Sequence, residues 1–348
     1  DEGVAMALYP LTFEPIYKPK VWGGRSLEKL GRSLPEGEAI GESWELADLS
    51  ATSVSGGGGG AERSVIAHGP LSGRTLHEAM EQYGTDLMGH LPATGDGDFP
   101  LLVKFLDAQA NLSVQVHPSP VYAAEHADAH LKSEAWYVLD ADPGAVIYKG
   151  IVEGTTPQQF AEAIESNTVE DLLIAVPVRA GDIHYLPSGT CHALGEGIVV
   201  AEVQTPSDTT FRVYDWGREG RELHIDQALQ CIEFGPADTS GYEPHAKIER
   251  DQTLVEALVR CPYFHLDRVT MEAGYSQTLN DIEPVIWMVL SGSGRITCEH
   301  TDASVAETRF ERGRTLLLPA AWHGRVHIDQ TVTYLEVNFP QAMGDLIA

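Results

Sequence analysis

The chain of 348 residues is long enough for two domains of about 150 residues each, and its 43% hydrophobic residues supply a large core, which excludes disordered and fibrous classes. No apolar run approaches the ~18 residues that cross a bilayer as a helix. Acidic residues outnumber basic ones 51 to 23, and the formal charge of -28 repels nucleic-acid phosphates and anionic lipid, so neither is an expected partner and any cationic pocket stands out.

The five residues before Met6 read as an added remnant with Met6 as the natural start, and no charged n-region followed by an apolar stretch comes after it, so a cytoplasmic protein is expected. Cys191, Cys231, Cys261 and Cys298 form no CxxC pair, which suits reduced thiols. Around Tyr17, Trp22-Gly23-Gly24 and Gly41-Glu42-Ser43-Trp44 the pattern is one of strands and tight turns, with a short helix signal at 26–31. Gly56 to Gly60 is expected to be a flexible surface loop, since no Lys-Ser/Thr follows as a phosphate-binding loop requires. Leu76, Met80, Tyr83 and Leu87 predict an amphipathic helix over 75–88 with Thr75 as its cap, and similar patterns predict helices over 156–164, 168–174 and 225–232. Strands are expected over 101–106, 112–116, 134–139, 145–148, 183–187, 198–203 and 211–214, and a second β-rich set runs from Tyr263 onward.

Short strands with Gly and Pro turns and few helices predict a mainly β protein built of antiparallel sandwiches or barrels. The segment Ala180-Gly181 to Pro187 is echoed by Arg312-Gly313 to Pro319, and Glu134 to Gly144 by Trp287 to Gly294, which reads as a duplicated β-barrel. The expected division is a catalytic part with helical segments over 6–235, a linker over 236–262 and a degenerate second barrel over 263–340.

Gln115 and His117 stand two apart, so in a strand both side chains project from one face; Glu134 opens the next β run, and His192 closes Gly181-x5-Pro187-x-Gly189-x2-His192. Two His, one Glu and one Gln suit a divalent ion of the zinc or iron type with a position left open for substrate. Lys104 and Glu202 are charges inside apolar strands, where each either faces solvent or pairs in a cavity. Glu202 is a candidate base or a partner for Arg212, and Lys132, two before Glu134, could aim at the same pocket.

The Gly-x5-Pro-x-Gly-x2-His element resembles the second motif of the cupin superfamily, with Gln115, His117 and Glu134 at its first-motif ligand places. Leu112-Ser113-Val114-Gln115-Val116-His117-Pro118, Lys132-Ser133-Glu134-Ala135-Trp136-Tyr137 and Pro187-Ser188-Gly189-Thr190-Cys191-His192-Ala193-Leu194 resemble the short bacterial form of the type I phosphomannose isomerases, and Trp22-Gly23-Gly24, Gly41-Glu42-Ser43-Trp44 and Glu202 to Arg212 extend the likeness over most of residues 8–340. The resemblance implies a double cupin with a small helical insertion. It also implies interconversion of mannose 6-phosphate and fructose 6-phosphate through a cis-enediol, with one zinc held by Gln115, His117, Glu134 and His192; the alternatives are a metal-dependent bicupin of another reaction class, an oxygenase or decarboxylase, and a non-catalytic cupin that binds sugar phosphates. Arg212 takes the place of the family's arginine, Lys132 and Glu202 stand as catalytic candidates beside a metal-bound water, and Lys104, Glu42 and Trp22 are the expected substrate contacts. The second barrel is expected to be metal-free, because its echo lacks a counterpart of Glu134 and His117 and places His323 one residue early.

Overall fold

The computed structural model describes residues 8–53, 59–298 and 305–340. The proposed start at Met6 and most of the glycine run, residues 56–58, lie outside these. The remaining sequence folds into three large antiparallel sheets and one two-stranded sheet, with five short α-helices and two 3-10 turns among the described residues.

Two sheets face each other in the first part of the chain. One has six strands in the order Ile183–Leu186, Glu134–Ala141, Ile198–Gln204, Leu102–Ala108, Ile40–Leu46, Ile16–Gly24. The other has five, in the order Leu173–Pro177, Val146–Ile151, His192–Leu194, Val114–Val116, Phe211–Tyr214. Alternation along each strand sends Leu106, Trp136, Val138 and Val200 from the first sheet against Ile147 and Leu194 from the second, closing an apolar floor between them. Above that floor the same faces carry polar and charged side chains, and this is where the active-site candidates gather.

The third sheet is a single nine-stranded ribbon. Its long strands Val285–Cys298 and Gly324–Asn338 pair along most of their length with register shifts at Val289/Ser291, Ser291/Ser293 and Ser293/Gly294. These bulges let the ribbon fold over a core of Trp287, Phe310 and Tyr334. The echo seen in the sequence reappears in register: Trp136 lies opposite Glu202 in the first part, and Trp287 lies opposite Glu336 here, with the Trp287 indole donating to Glu336 at 3.0 Å.

Several expectations change. The segment 236–262 is not a bare linker: Lys247–Arg250 and Thr253–Arg260 are strands that extend the C-terminal sheet, and Leu11–Thr12 from the other end of the chain pairs with Thr315–Leu318 in the same sheet. The helix over 75–88 is two pieces, Leu76–Tyr83 and Thr85–Met88, broken at Gly84, whose φ of 48° lies in the left-handed region. Its start is as expected, with Thr75 and Glu78 forming a reciprocal capping box. The segment 168–174 is a 3-10 turn, Val169–Leu172, that runs into the strand Leu173–Pro177. Pairing with Val146–Ile151 outweighs the local helical pattern there. The helix Pro120–Glu125, capped by Ser119 with Pro at its first turn, was not expected. All four cysteines are free and three are buried.

Candidate active site

A cavity of about 320 Å³ opens between the two facing sheets and is lined by Trp22, Glu42, Lys104, Gln115, Lys132, Glu134, Glu202 and Arg212. Eight of the ten residues singled out from the sequence therefore line this one cavity, and the other two, His117 and His192, lie against Glu134 beside it.

His192 and Gln115 are brought side by side by strand pairing, and Gln115 is also opposite Arg212. Glu134 reaches the imidazoles from the six-stranded sheet: its Oε1 lies 3.1 Å from His192 Nε2 and its Oε2 3.5 Å from His117 Nε2. All three side chains are about 1% exposed, and their ligand atoms lie within 4.8 Å of one another. The far side of each ring is fixed by backbone: His117 Nδ1 is 3.1 Å from the Thr209 carbonyl and His192 Nδ1 is 2.8 Å from the Thr190 carbonyl. An Nδ1–H donated to a carbonyl leaves the Nε2 lone pair aimed at Glu134, the arrangement seen when histidine holds a metal. His117 Nε2 has no hydrogen-bond partner, a costly state for a buried polar atom unless a ligand completes it, and Glu134 Oε2 is met only by the ammonium of Lys132. Burial and the ammonium of Lys132 push the His117 imidazole down to about 3, so it is neutral and ligand-ready at any physiological pH. Gln115 Nε2 stands 3.5 Å from His192 Nε2, at the edge of the cluster. These donors fit a divalent cation.

Charges alternate away from this cluster across the sheet. Lys132 Nζ is 2.8 Å from Glu134 Oε2 and 3.9 Å from Glu202 Oε1; Lys104 Nζ is 3.7 Å from Glu202 Oε1 and 3.5 Å from Glu42 Oε2; Lys20 Nζ is 3.3 Å from Glu42 Oε1. Strand register makes this ladder, since Glu202 is paired with Lys104 on one side and Trp136 on the other. Burial would raise the Glu42 carboxyl, but Lys104, Lys20 and the indole of Trp44 outweigh it and hold it well below the usual range. Glu134 is held low by Lys132 and His117 in the same way, against the effect of burial. Glu202 goes the other way, to about 8, because burial and the neighbouring Glu134 charge exceed the pull of the two lysines, which stand too far off for hydrogen bonds. A carboxyl that gains and loses a proton near neutrality is the group an acid–base step needs.

Glu202 is thus set between two lysines and is not the partner of Arg212. Arg212 donates through Nη1 to the Glu222 carbonyl at 2.8 Å, and its Nε is buried without a partner. Burial and the like charge of Arg221 lower its pKa, as expected for a guanidinium kept for an anion. Lys132 also differs from expectation, since its strand begins only at Glu134 and the lysine reaches the site from the extended approach. Trp22 packs its ring into the floor of the cavity, whereas Trp44 is buried beneath it and holds Glu42 through an indole hydrogen bond of 2.7 Å. The sequence reading missed Lys20, Ser113, Asp208, Thr210 and Arg221, which line the same cavity. Arg218-Glu219-Gly220-Arg221 was the available signal, two cations in an acidic chain, both anchored on Asp215.

In the C-terminal sheet His323 is exposed and joins no ligand cluster among the described residues. His323→Ala is expected to leave metal stoichiometry and turnover within about two-fold of the parent, because a site of this kind needs three or four ligands; loss of a metal ion in elemental analysis would reverse that assignment.

Residues 11–147 match the family of type I phosphomannose isomerase catalytic domains. Mannose-6-phosphate isomerase ManA of Bacillus subtilis is 36% identical over 323 residues, which is 90% of this chain and 94% of that protein. The mannose-6-phosphate isomerase of Streptococcus mutans is 35% identical over 318 residues, covering 89% of this chain and 92% of that one. Among solved structures, the mannose 6-phosphate isomerase from Bacillus subtilis superposes with a TM-score of 0.81 at 30% identity, over 95% of this chain and 99% of that one. A mutant phosphomannose isomerase from Salmonella typhimurium, at 15% identity and a TM-score of 0.72 over 95% of this chain and 99% of that one, has the same fold.

Proposed function

The chain belongs to the type I phosphomannose isomerase family, and from that premise we propose that it interconverts mannose 6-phosphate and fructose 6-phosphate with one zinc ion held by His117, Glu134, His192 and Gln115. The observation that carries this reading is the buried His117–Glu134–His192 cluster opening, beside three lysines, into a single polar cavity. Bound there, a divalent ion supplies positive charge that polarises and orients substrate oxygens.

The remaining chemistry falls to the protein's own groups. Aldose–ketose isomerisation moves a proton between C1 and C2 through a cis-enediol, so it needs a group that exchanges a proton and a field that stabilises charge developing on oxygen. Glu202, held near neutrality in its proton affinity, exchanges the proton, and Lys132 is placed to relay it. Lys104, fixed between Glu42 and Glu202, keeps its charge because those carboxylates outweigh the cost of burial, and it faces the sugar hydroxyls together with Glu42. Arg212, with Arg221 beside it, meets the negative charge of the enediolate or the phosphate, and Trp22 forms the apolar side of the cavity. No described helix is long and apolar enough to cross a membrane, and we place the enzyme in the cytoplasm, where its phosphorylated substrates occur.

A coupled assay of mannose 6-phosphate turnover, run with elemental analysis of the same preparation, tests the proposal. Turnover with one zinc per chain, lost on chelation and restored by zinc, is the expected result. A zinc-loaded protein that does not turn over mannose 6-phosphate would overturn the activity, and turnover indifferent to chelation with no bound metal would overturn the metal.

A further inference from the structure

Positive charge is scarce in this chain, with 23 basic residues against 51 acidic ones, so a place where arginines outnumber the carboxylates around them is an electrostatic exception. Such a place exists away from the active site. A cleft of about 530 Å³ lies where the segment after Ser26–Leu30 meets two hairpins of the C-terminal sheet, and Arg32, Arg312, Arg314, Ser293 and Gln330 line it. The seam is tight by necessity: a Cβ on Gly313 would fall 2.0 Å from the Leu30 carbonyl oxygen, so only glycine lets the 311–314 hairpin close on residues 30–32.

The Arg32 side chain is 9% exposed. Its Nη2 donates to Glu45 and to the Gly313 carbonyl, but its Nε is buried with no partner. Arg314 is half-buried and Arg312 exposed, and no carboxylate among the described residues forms an ion pair with either. Two carboxylates stand nearby. Glu45 is committed to Arg32, to the Ser43 hydroxyl at 2.6 Å and to Thr315, and feels Arg314 only at longer range. Glu311 lines the cleft from the solvent side. Three guanidinium groups against two carboxylates leave the cleft net positive in a chain of charge -28.

We infer that this cleft binds a small phosphate-bearing anion at the seam between the first part of the chain and its C-terminal sheet. Guanidinium groups present forked N–H donors that match phosphate oxygens, and Ser293 and Gln330 add neutral donors at the rim. An oxyanion accepting from Arg32 Nε would satisfy a buried donor left without a partner at this seam. Contacting both sides of the seam, it would also stabilise the folded chain in proportion to its occupancy.

The test is calorimetric titration with inorganic phosphate, and in parallel with glycerol 3-phosphate, at ionic strength held constant with chloride, on the parent enzyme and on the Arg312→Ala/Arg314→Ala double variant. Inhibition of turnover by phosphate reports the active site separately. The parent is expected to bind one phosphate beyond the one that inhibits. In the double variant that extra binding weakens by roughly ten-fold or more, since charge-assisted contacts are being removed, while KM, kcat and the inhibition constant stay unchanged. Glu311→Gln is expected to tighten the same binding a few-fold, and it provides a second readout should the double variant fold poorly. Tighter binding of the ester than of inorganic phosphate supports the site as one for phosphorylated metabolites, and equal or weaker binding supports it as one for free phosphate. No binding beyond the inhibitory one, extra binding unchanged in the double variant, or no tightening in Glu311→Gln would each overturn the proposal.

Discussion

His117→Ala and His192→Ala are each expected to lose most of the bound metal and to lower turnover by roughly 10³-fold or more, because a Lewis acid contributes several kcal/mol of charge stabilisation to a reaction of this type. The geometry explains why one ligand is enough to lose the ion. Glu134 bridges the two imidazoles, at 3.1 and 3.5 Å, so removing either leaves a buried carboxylate with one neutral ligand and the Lys132 ammonium at 2.8 Å, which then competes with the metal for it. Gln115→Ala should cost less, since its amide lies at the edge of the cluster and already holds the Ser113 hydroxyl. Elemental analysis, circular dichroism and the coupled assay on the same preparations decide the point. A correctly folded His192→Ala variant with full metal and full turnover would remove the site from its proposed role.

Most of the cluster was legible because its residues report themselves locally. Gln115 lies in a short strand with His117 just past its end, Glu134 opens a strand, and His192 follows a glycine–proline hairpin, each visible within about a dozen residues. What could not be read is everything fixed by register between distant strands. Glu202 meets Lys104 because Ile198–Gln204 pairs with Leu102–Ala108, and nothing in either segment separates that partner from Arg212. The carbonyls of Thr190 and Thr209 that orient the histidines are backbone groups, so no residue type marks them. The same limit governs the fold. Phe211–Tyr214 was legible to the residue, its Phe, Val and Tyr being strand-favouring side chains, although Arg212 between them is buried too. Lys247–Arg250 is exposed along its whole length and carries no such pattern, so only its pairing with Thr253–Arg260 makes it a strand, and the segment read as a linker. At 168–174 the expected helix shortens to the 3-10 turn Val169–Leu172, because Leu173 and Ile174 enter the strand that pairs with Val146–Ile151.

Arg212→Ala is expected to lower turnover by ~10²-fold or more with the metal still bound, the loss typical of deleting one preorganised charge stabiliser. Two observations separate this role from a structural salt bridge. Arg212 makes no ion pair with a carboxylate among the described residues; the nearby Asp215 carboxylate is held by Arg218 at 2.7 Å and by Arg221. Its buried Nε is left without a partner on a residue that lines the cavity, where an unsatisfied donor persists at a cost unless a bound anion is to meet it. The contact from Nη1 to the Glu222 carbonyl fixes the guanidinium without consuming its remaining donors. The expected signature is therefore a fall in kcat larger than any rise in KM, unchanged metal content, and partial recovery in Arg212→Lys, which restores the charge but not the forked geometry. If the arginine serves only the fold, Arg212→Ala will lower the unfolding temperature and leave kcat near the parent value, and its place in the reaction would have to be withdrawn.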